Sequence, residues 1–324
     1  MVVTEGKMPR KRIDINIRQC KLDACQKCIN RDLRNKHCEE GVCEYPSALD
    51  NLPIRCVGDW ANDKIYYLTQ YFGIFATGMH KRWENLYYVE VCSGPGRCST
   101  RDGFEQDGTA IAVLNHSSFQ YITNAVFVDY NNEAVNALNK RIELLGKRAK
   151  ARSVLGDYND SASITNELMS QNSNGLTLCL IDPTDCSLPF KTIEDIYNAT
   201  NRHCDFIISF FDGTDLNRNC AMATLSQTHS RLREKYERFL GDAMFFQRKD
   251  IIEMAKLKQN SKIVEAFTET YKQRLAEIGL AYSDTVAVGS LYHLLFVTSH
   301  QRGIDFWRKA SKTCLPDGQR LFNF

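Results

Sequence analysis

No run of about 18 uninterrupted apolar residues occurs in this 324-residue chain, so no membrane-spanning helix is expected. The first twenty residues, MVVTEGKMPRKRIDINIRQC, lack the apolar core of a secretory signal, and a cytoplasmic location is expected. Net charge is also scarce. A formal +2 at pH 7 gives no sign of a globally basic nucleic-acid binder and otherwise excludes nothing. There is no internal repeat and no low-complexity tract. With 43% apolar and 25% charged residues, the chain is neither a collagen, a disordered polymer nor a coiled-coil rod. At 37.1 kDa it fits one large α/β domain with an appendage, or two domains.

Cysteine is plentiful. There are 13, an odd number, and Cys20, Cys25, Cys28, Cys38, Cys43 and Cys56 fall in the first 56 residues. In a reducing compartment such a cluster points to metal more than to disulfides, whereas the seven scattered ones read as small core residues or inert thiols. Cys25 and Cys28, two residues apart, form a usual first half of a zinc knuckle, and Cys38 and Cys43 complete four thiolates. Cys20 is an alternative ligand and His37 a further one. The spacing of Cys20, Cys25 and Cys28 also matches a plant-type iron–sulfur ligand set, and a metal-free segment is the third reading. Few large apolar residues lie here (Leu22, Ile29, Leu33, Val42), so a metal would supply stability that so small a core cannot.

Five parts are expected. Residues 1–19 form a basic tail, either solvated or an arm for phosphates. Residues 20–53 form the Cys-rich metal-binding segment, with a linker over 46–53. Residues 54–215 form a Rossmann-like core. Residues 216–280 form a charged helical insert for substrate recognition or partner binding, and 281–324 add a β-hairpin and a C-terminal helix. A helix over 60–79 is signalled by Tyr67, Leu68, Tyr71, Phe72 and Phe75 at three- and four-residue steps. Strands are then expected at 86–92, 125–129, 151–155, 176–181 and 206–211, alternating with helices at 109–119, 133–145, 161–171 and 192–201. That alternation implies a parallel sheet covered on both faces. Strands at 284–288 and 292–298 are separated by a turn too short for a crossover, so they form an antiparallel hairpin. Five parallel strands closed by a hairpin, a mostly parallel seven-stranded sheet, outline a class I methyltransferase-like fold.

Acidic residues recur at the expected strand ends. The first strand runs through Glu90 into Gly94, Pro95, Gly96 and Arg97, a turn that lets a ligand approach the backbone. A dinucleotide fold would place a third glycine where Ser99 stands, which disfavours a nucleotide-dependent oxidoreductase. An acid four residues before the first glycine instead suits the ammonium group of S-adenosylmethionine. Asp129 ends the second strand, where ribose hydroxyls are received, with 99–108 read as an enlarged loop before it. Asp157 follows Gly156 after the third strand, where an adenine amino group is met. Asp182 and Pro183 follow the fourth, where methyl acceptors dock. All four gather at the carboxyl edge of the sheet. The competing view of each glycine and acid is a shaped turn or an altered pocket.

Several stretches resemble the three-Cys-motif partner protein (TcmP) family. They are Arg55-Cys56-Val57-Gly58-Asp59-Trp60 with Lys64, Tyr67 and Leu68; Val91 to Arg97; Asp107-Gly108-Thr109; Asp182-Pro183; Asp215-Leu216-Asn217-Arg218-Asn219; and Tyr292-His293-Leu294-Leu295-Phe296. The resemblance covers about residues 55–310. It implies a bacterial, S-adenosylmethionine-dependent methyltransferase-like protein with a three-Cys-motif protein as partner. The family's Asp-Pro is followed by an aromatic residue and glycine; here Thr184 and Asp185 stand instead, leaving the stacking ring to Phe190 in the following turn. Arg218 is a candidate for an acceptor phosphate or a partner of Asp212 or Asp215. His293 reads as a core or surface histidine rather than a base. The functions weighed are methylation of an amino group of nucleic acid, with Asp182 and Pro183 as catalytic residues, and a catalytically altered accessory protein.

Overall fold

The computed structural model describes residues 11–12, 42–43, 46–58, 60–99, 104–168, 174–226, 228–289 and 291–312. Cys20, Cys25, Cys28 and Cys38, called as metal ligands, lie outside the described residues, as does the side chain of Cys43. Among the described residues no cluster of His, Cys, Asp or Glu could hold a metal, and Cys98, Cys179, Cys186, Cys204 and Cys220 are buried free thiols. No described helix is long and apolar enough to cross a membrane.

The central sheet is built from the apolar runs. Strands β4 (Asn85–Val91), β7 (Asn124–Asp129), β8 (Ala151–Leu155), β9 (Gly175–Ile181) and β10 (Cys204–Phe210) are mutually parallel. Strands β11 (Tyr282–Val288) and β12 (Tyr292–Thr298) form the hairpin, with β12 antiparallel to β10. The order across the sheet is β11-β12-β10-β9-β4-β7-β8. Read from the β8 edge and counted along the chain, this is third, second, first, fourth, fifth, seventh, sixth, the strand order of the class I methyltransferase-like fold. The outer strand β11 is mostly half-exposed, whereas Leu294, Leu295, Phe296 and Val297 of β12 are fully buried. Strand β12 carries apolar side chains on both faces and therefore takes the inner place.

Helices cover both faces. On one lie α1 (Ala61–Met79), α2 (Thr109–Asn115), α3 (Asn132–Leu144) and the C-terminal α10 (Gln301–Lys312), with Leu68, Phe72, Phe75, Ile111, Leu138 and Trp307 in one core cluster. On the other lie α4 (Ala162–Leu168), α5 (Phe190–Ala199) and the insert helices α6 (Asn217–Leu225), α7 (Ser230–Leu240), α8 (Lys249–Lys256) and α9 (Asn260–Glu277). The chain changes face between β4 and β9, and an open α/β sheet has its crevice at such a point, outside the carboxyl ends.

A second, five-stranded sheet lies beside the first loop, in the order β1-β6-β5-β3-β2: β1 (Lys11–Arg12), β2 (Val42–Cys43), β3 (Ile54–Cys56), β5 (Arg97–Ser99) and β6 (Phe104–Asp107). Within the stretch read as an enlarged loop over 99–108, residues 104–107 form β6, antiparallel to β5. Nor is 46–53 a free linker. Arg141 of α3, 3% exposed, donates to both oxygens of Asp50 at 2.7 and 2.8 Å and to the carbonyls of Pro53 (2.8 Å) and Pro95 (2.5 Å). Ser47 and Ala48 donate to the Glu105 carboxylate. A buried guanidinium saturated by charge-assisted bonds fixes its neighbours firmly.

Candidate functional site at the carboxyl edge

The loop after β4 is held in conformations that few residues adopt. Gly94 and Gly96 have φ of +62° and +87°, and Cys92, at +67°, occupies the same left-handed region without glycine's freedom. A Cβ on Gly96 would come within 2.8 Å of Leu138 Cδ1 and 2.9 Å of Ile111 Cγ1. The loop is therefore pressed against α2 and α3, and residues 93–96 are buried.

Glu90 is fully buried under this loop. Tyr88 donates its hydroxyl to one oxygen at 2.8 Å and Thr109 to the other at 2.5 Å. Burial pushes its pKa up to about 7; the two hydroxyls and Lys64 pull against that, and the Asp182 carboxylate adds to it. Asp129, also buried, accepts from the backbone N–H of Gly94 at 2.7 Å and of Asn131 at 3.0 Å. It thereby ties the end of β7 to the glycine loop. Asp157 is exposed and accepts from Asn159.

Asp182 lies beyond Ile181, beside Glu90. Ser209 of β10 donates to it at 2.6 Å, and Lys64 of α1 forms an ion pair with its other oxygen. Burial opposes the Lys64 charge, but Asp182 outweighs it, with Tyr292 and Glu90 adding to the effect, and the lysine is held protonated well above its usual range. Neighbouring Asp185 reaches Lys235 of α7, which also pairs with Asp215 at 2.7 Å. Asp215 in turn accepts from the backbone N–H of Cys186 and from Tyr236. The acceptor-side loop is thus fastened to the insert.

Glu90, Asp129 and Asp182 come together on the α1 face of the sheet edge. Phe190 does not join them. It is buried on the opposite face against Tyr271, with Arg274 over its ring. Asp212 is paired with His293 and Asp215 with Lys235, while Arg218 stands exposed in the first turn of α6. His293 is half-exposed, and the 2.7 Å bond to Asp212 raises its pKa against burial and Lys272. Sequence reading did not single out Tyr130, Leu155, Lys64 as a partner of Asp182, or Ser93. Tyr130 and Leu155 are large, exposed and adjacent to Asp129 at the ends of paired strands β7 and β8, an apolar rim suited to a flat base. The Ser93 hydroxyl is buried in the loop without a partner. An open pocket of about 510 Å³, lined by Arg248, Glu269, Thr270, Lys272 and Ser283, lies towards the amino edge and contacts none of these groups.

The chemistry of these residues fits S-adenosylmethionine: a buried carboxylate at the end of β4, a second at the end of β7, an apolar rim and an orphaned buried hydroxyl. No family model matches the chain, and no curated protein does. Solved structures are similar in fold. A Legionella pneumophila protein is 13% identical at a TM-score of 0.45, over 78% of this chain and 91% of its own. A Methanococcus maripaludis protein described as an S-adenosyl-L-methionine-dependent methyltransferase is 12% identical at 0.33, over 74% and 92%. A geranyl diphosphate methyltransferase is 12% identical at 0.33, over 74% and 78%. Likeness at this level carries nothing about substrate.

Proposed function

We propose that the chain is an S-adenosylmethionine-dependent methyltransferase of the TcmP kind, acting on an amino group of nucleic acid. One observation carries it: acidic residues stand at the ends of β4, β7, β8 and β9 of a sheet in methyltransferase order. When bound, the cofactor supplies an electrophilic methyl on a sulfonium. Glu90 holds the ammonium, Asp129 the ribose hydroxyls, Asp157 the adenine amino group, and Tyr130 and Leu155 flank the base. Asp182 and the Pro183 turn orient the acceptor amine. The basic residues of 1–19 and the exposed Arg218 attract acceptor phosphates. Incubation with methyl-tritiated cofactor and DNA, RNA or protein tests this. Label is expected in nucleic acid, and Asp182→Asn should abolish transfer while cofactor binding persists.

A second reading has its own observation. The Asp182 carboxylate is already engaged by Lys64 and Ser209, and no ring follows Pro183. A protein that binds the cofactor and serves its three-Cys-motif partner without methylating fits that arrangement. It predicts cofactor binding with no label transfer to any acceptor, and co-purification with the partner. For the N-terminal segment we propose a zinc on Cys25, Cys28, Cys38 and Cys43, with Cys20 as alternative. Metal analysis should find one zinc per chain, lost in Cys25→Ser; iron with sulfide would instead indicate the cluster.

A further inference from the structure

The cofactor of the proposed function carries a carboxylate as well as an ammonium, and the site around Glu90 is itself acidic. Asp129 and Asp182 both act on the Cys92 thiol in the loop. A bare carboxylate brought among Glu90, Asp129 and Asp182 would be repelled. A cation would offset that repulsion, and most cations near the loop are committed. Lys64 is paired with Asp182. Arg97 is paired with Glu105 and Asp107, both at 2.9 Å. Arg141 is saturated by Asp50 and the Pro53 and Pro95 carbonyls.

Arg55 is different. It lies on β3, which pairs in parallel with β5 so that Arg55 stands opposite Cys98, just past the glycine loop. Its side chain reaches back over that loop: a Cβ on Gly94 would sit 3.6 Å from Arg55 Nη1 and 3.9 Å from Arg55 Cδ. Its charge reaches Cys92, opposing the push of burial on that thiol. Among the described residues the Arg55 side chain has neither a hydrogen bond nor an ion pair. A half-buried guanidinium without an anion, above a glycine backbone, is an incomplete bidentate site. The orphaned hydroxyl of Ser93, one residue before Gly94, is a second unused donor in the same loop.

We propose that Arg55, assisted by Ser93, binds the carboxylate of the cofactor's amino-acid group, while Glu90 binds its ammonium. This rests on the proposed cofactor site and names the residue that reads the zwitterion. The resulting site would select S-adenosyl amino acids over adenosyl compounds lacking the carboxyl group.

The test compares S-adenosylmethionine with decarboxylated S-adenosylmethionine, which keeps the ammonium and sulfonium. Both are titrated calorimetrically into the wild-type chain, Arg55→Gln and Arg55→Lys. The wild type should prefer the carboxylated ligand by roughly 10- to 100-fold, the range for a charged hydrogen bond. Arg55→Gln should bind both ligands alike, and Arg55→Lys should keep part of the preference. Because the Arg55 side chain has no partner among the described residues, Arg55→Gln should unfold at the wild-type temperature. An unchanged preference in Arg55→Gln, or equal loss of both ligands, would overturn the assignment and leave the cofactor site standing. Failure of the wild type to bind either ligand would remove the cofactor site and the assignment together.

Discussion

Replacing Glu90 by Gln should stabilise the unliganded protein. A carboxyl group moved from its ordinary value of 4.5 to about 7 by complete burial holds its proton in the folded state after the unfolded chain has released it. Between those values the folded form binds more protons, so stability falls as pH rises and the loss is complete above about 7. At ~1.4 kcal/mol per pH unit, the loss amounts to about 3 kcal/mol. Glutamine keeps the shape, and the Tyr88 and Thr109 hydroxyls can each bond its amide. Chemical denaturation at pH 5 and pH 8 checks this. Glu90→Gln should match the wild type within error at pH 5 and exceed it by about 3 kcal/mol at pH 8. The wild-type slope should not vanish entirely in the variant, because buried Asp205, raised by burial to about 6 against its bonds from Thr298 and Tyr71, titrates in the same direction. A variant less stable than the wild type at pH 8 would refute the reasoning, since it would show that the carboxylate stabilises the fold.

The same group sets a ligand effect. An ammonium needs ionised Glu90, so S-adenosylmethionine affinity should rise about tenfold per pH unit below 7 and level off above it, as read by titration across pH 5.5–8.5. Gly96→Ala meets Leu138 and Ile111 at under 3 Å and a disfavoured φ, so it should lower stability by roughly 2 kcal/mol in denaturant melts and weaken cofactor binding. Lys64→Met leaves Asp182 partly buried without its cation and should cost about 3 kcal/mol; Lys64→Met combined with Asp182→Asn should recover most of that.

The carboxyl-edge acids were legible in the sequence because parallel strands buried on both faces leave apolar runs, and the first polar residue after each run stands at the edge. Glu90, Asp129 and Asp182 could be placed this way before any contact was known. The seating of β12 inside β11 also had a signal, the unbroken run from Leu294 to Val297, but a hairpin alone does not say which arm joins the sheet. Phe190 was misleading. Its nearness in sequence to Pro183 suggests the acceptor loop, yet it shares the buried face of α5 with Ile193, Ile196 and Tyr197, and that periodicity places it in the core. The small sheet escaped notice because strands of two to four residues show no alternation. The Arg141 clamp, the Lys64–Asp182 pair and the approach of Arg55 to Gly94 join residues far apart in the chain, which composition and local pattern do not encode.

The most direct test of the account is calorimetric titration of S-adenosylhomocysteine into the folded wild-type chain at pH 8, where Glu90 is ionised. One site per chain with micromolar affinity, severely weakened in Asp129→Ala, is the predicted result. Absence of binding to protein that melts cooperatively would contradict it, and the acids at the strand ends would then serve the fold alone.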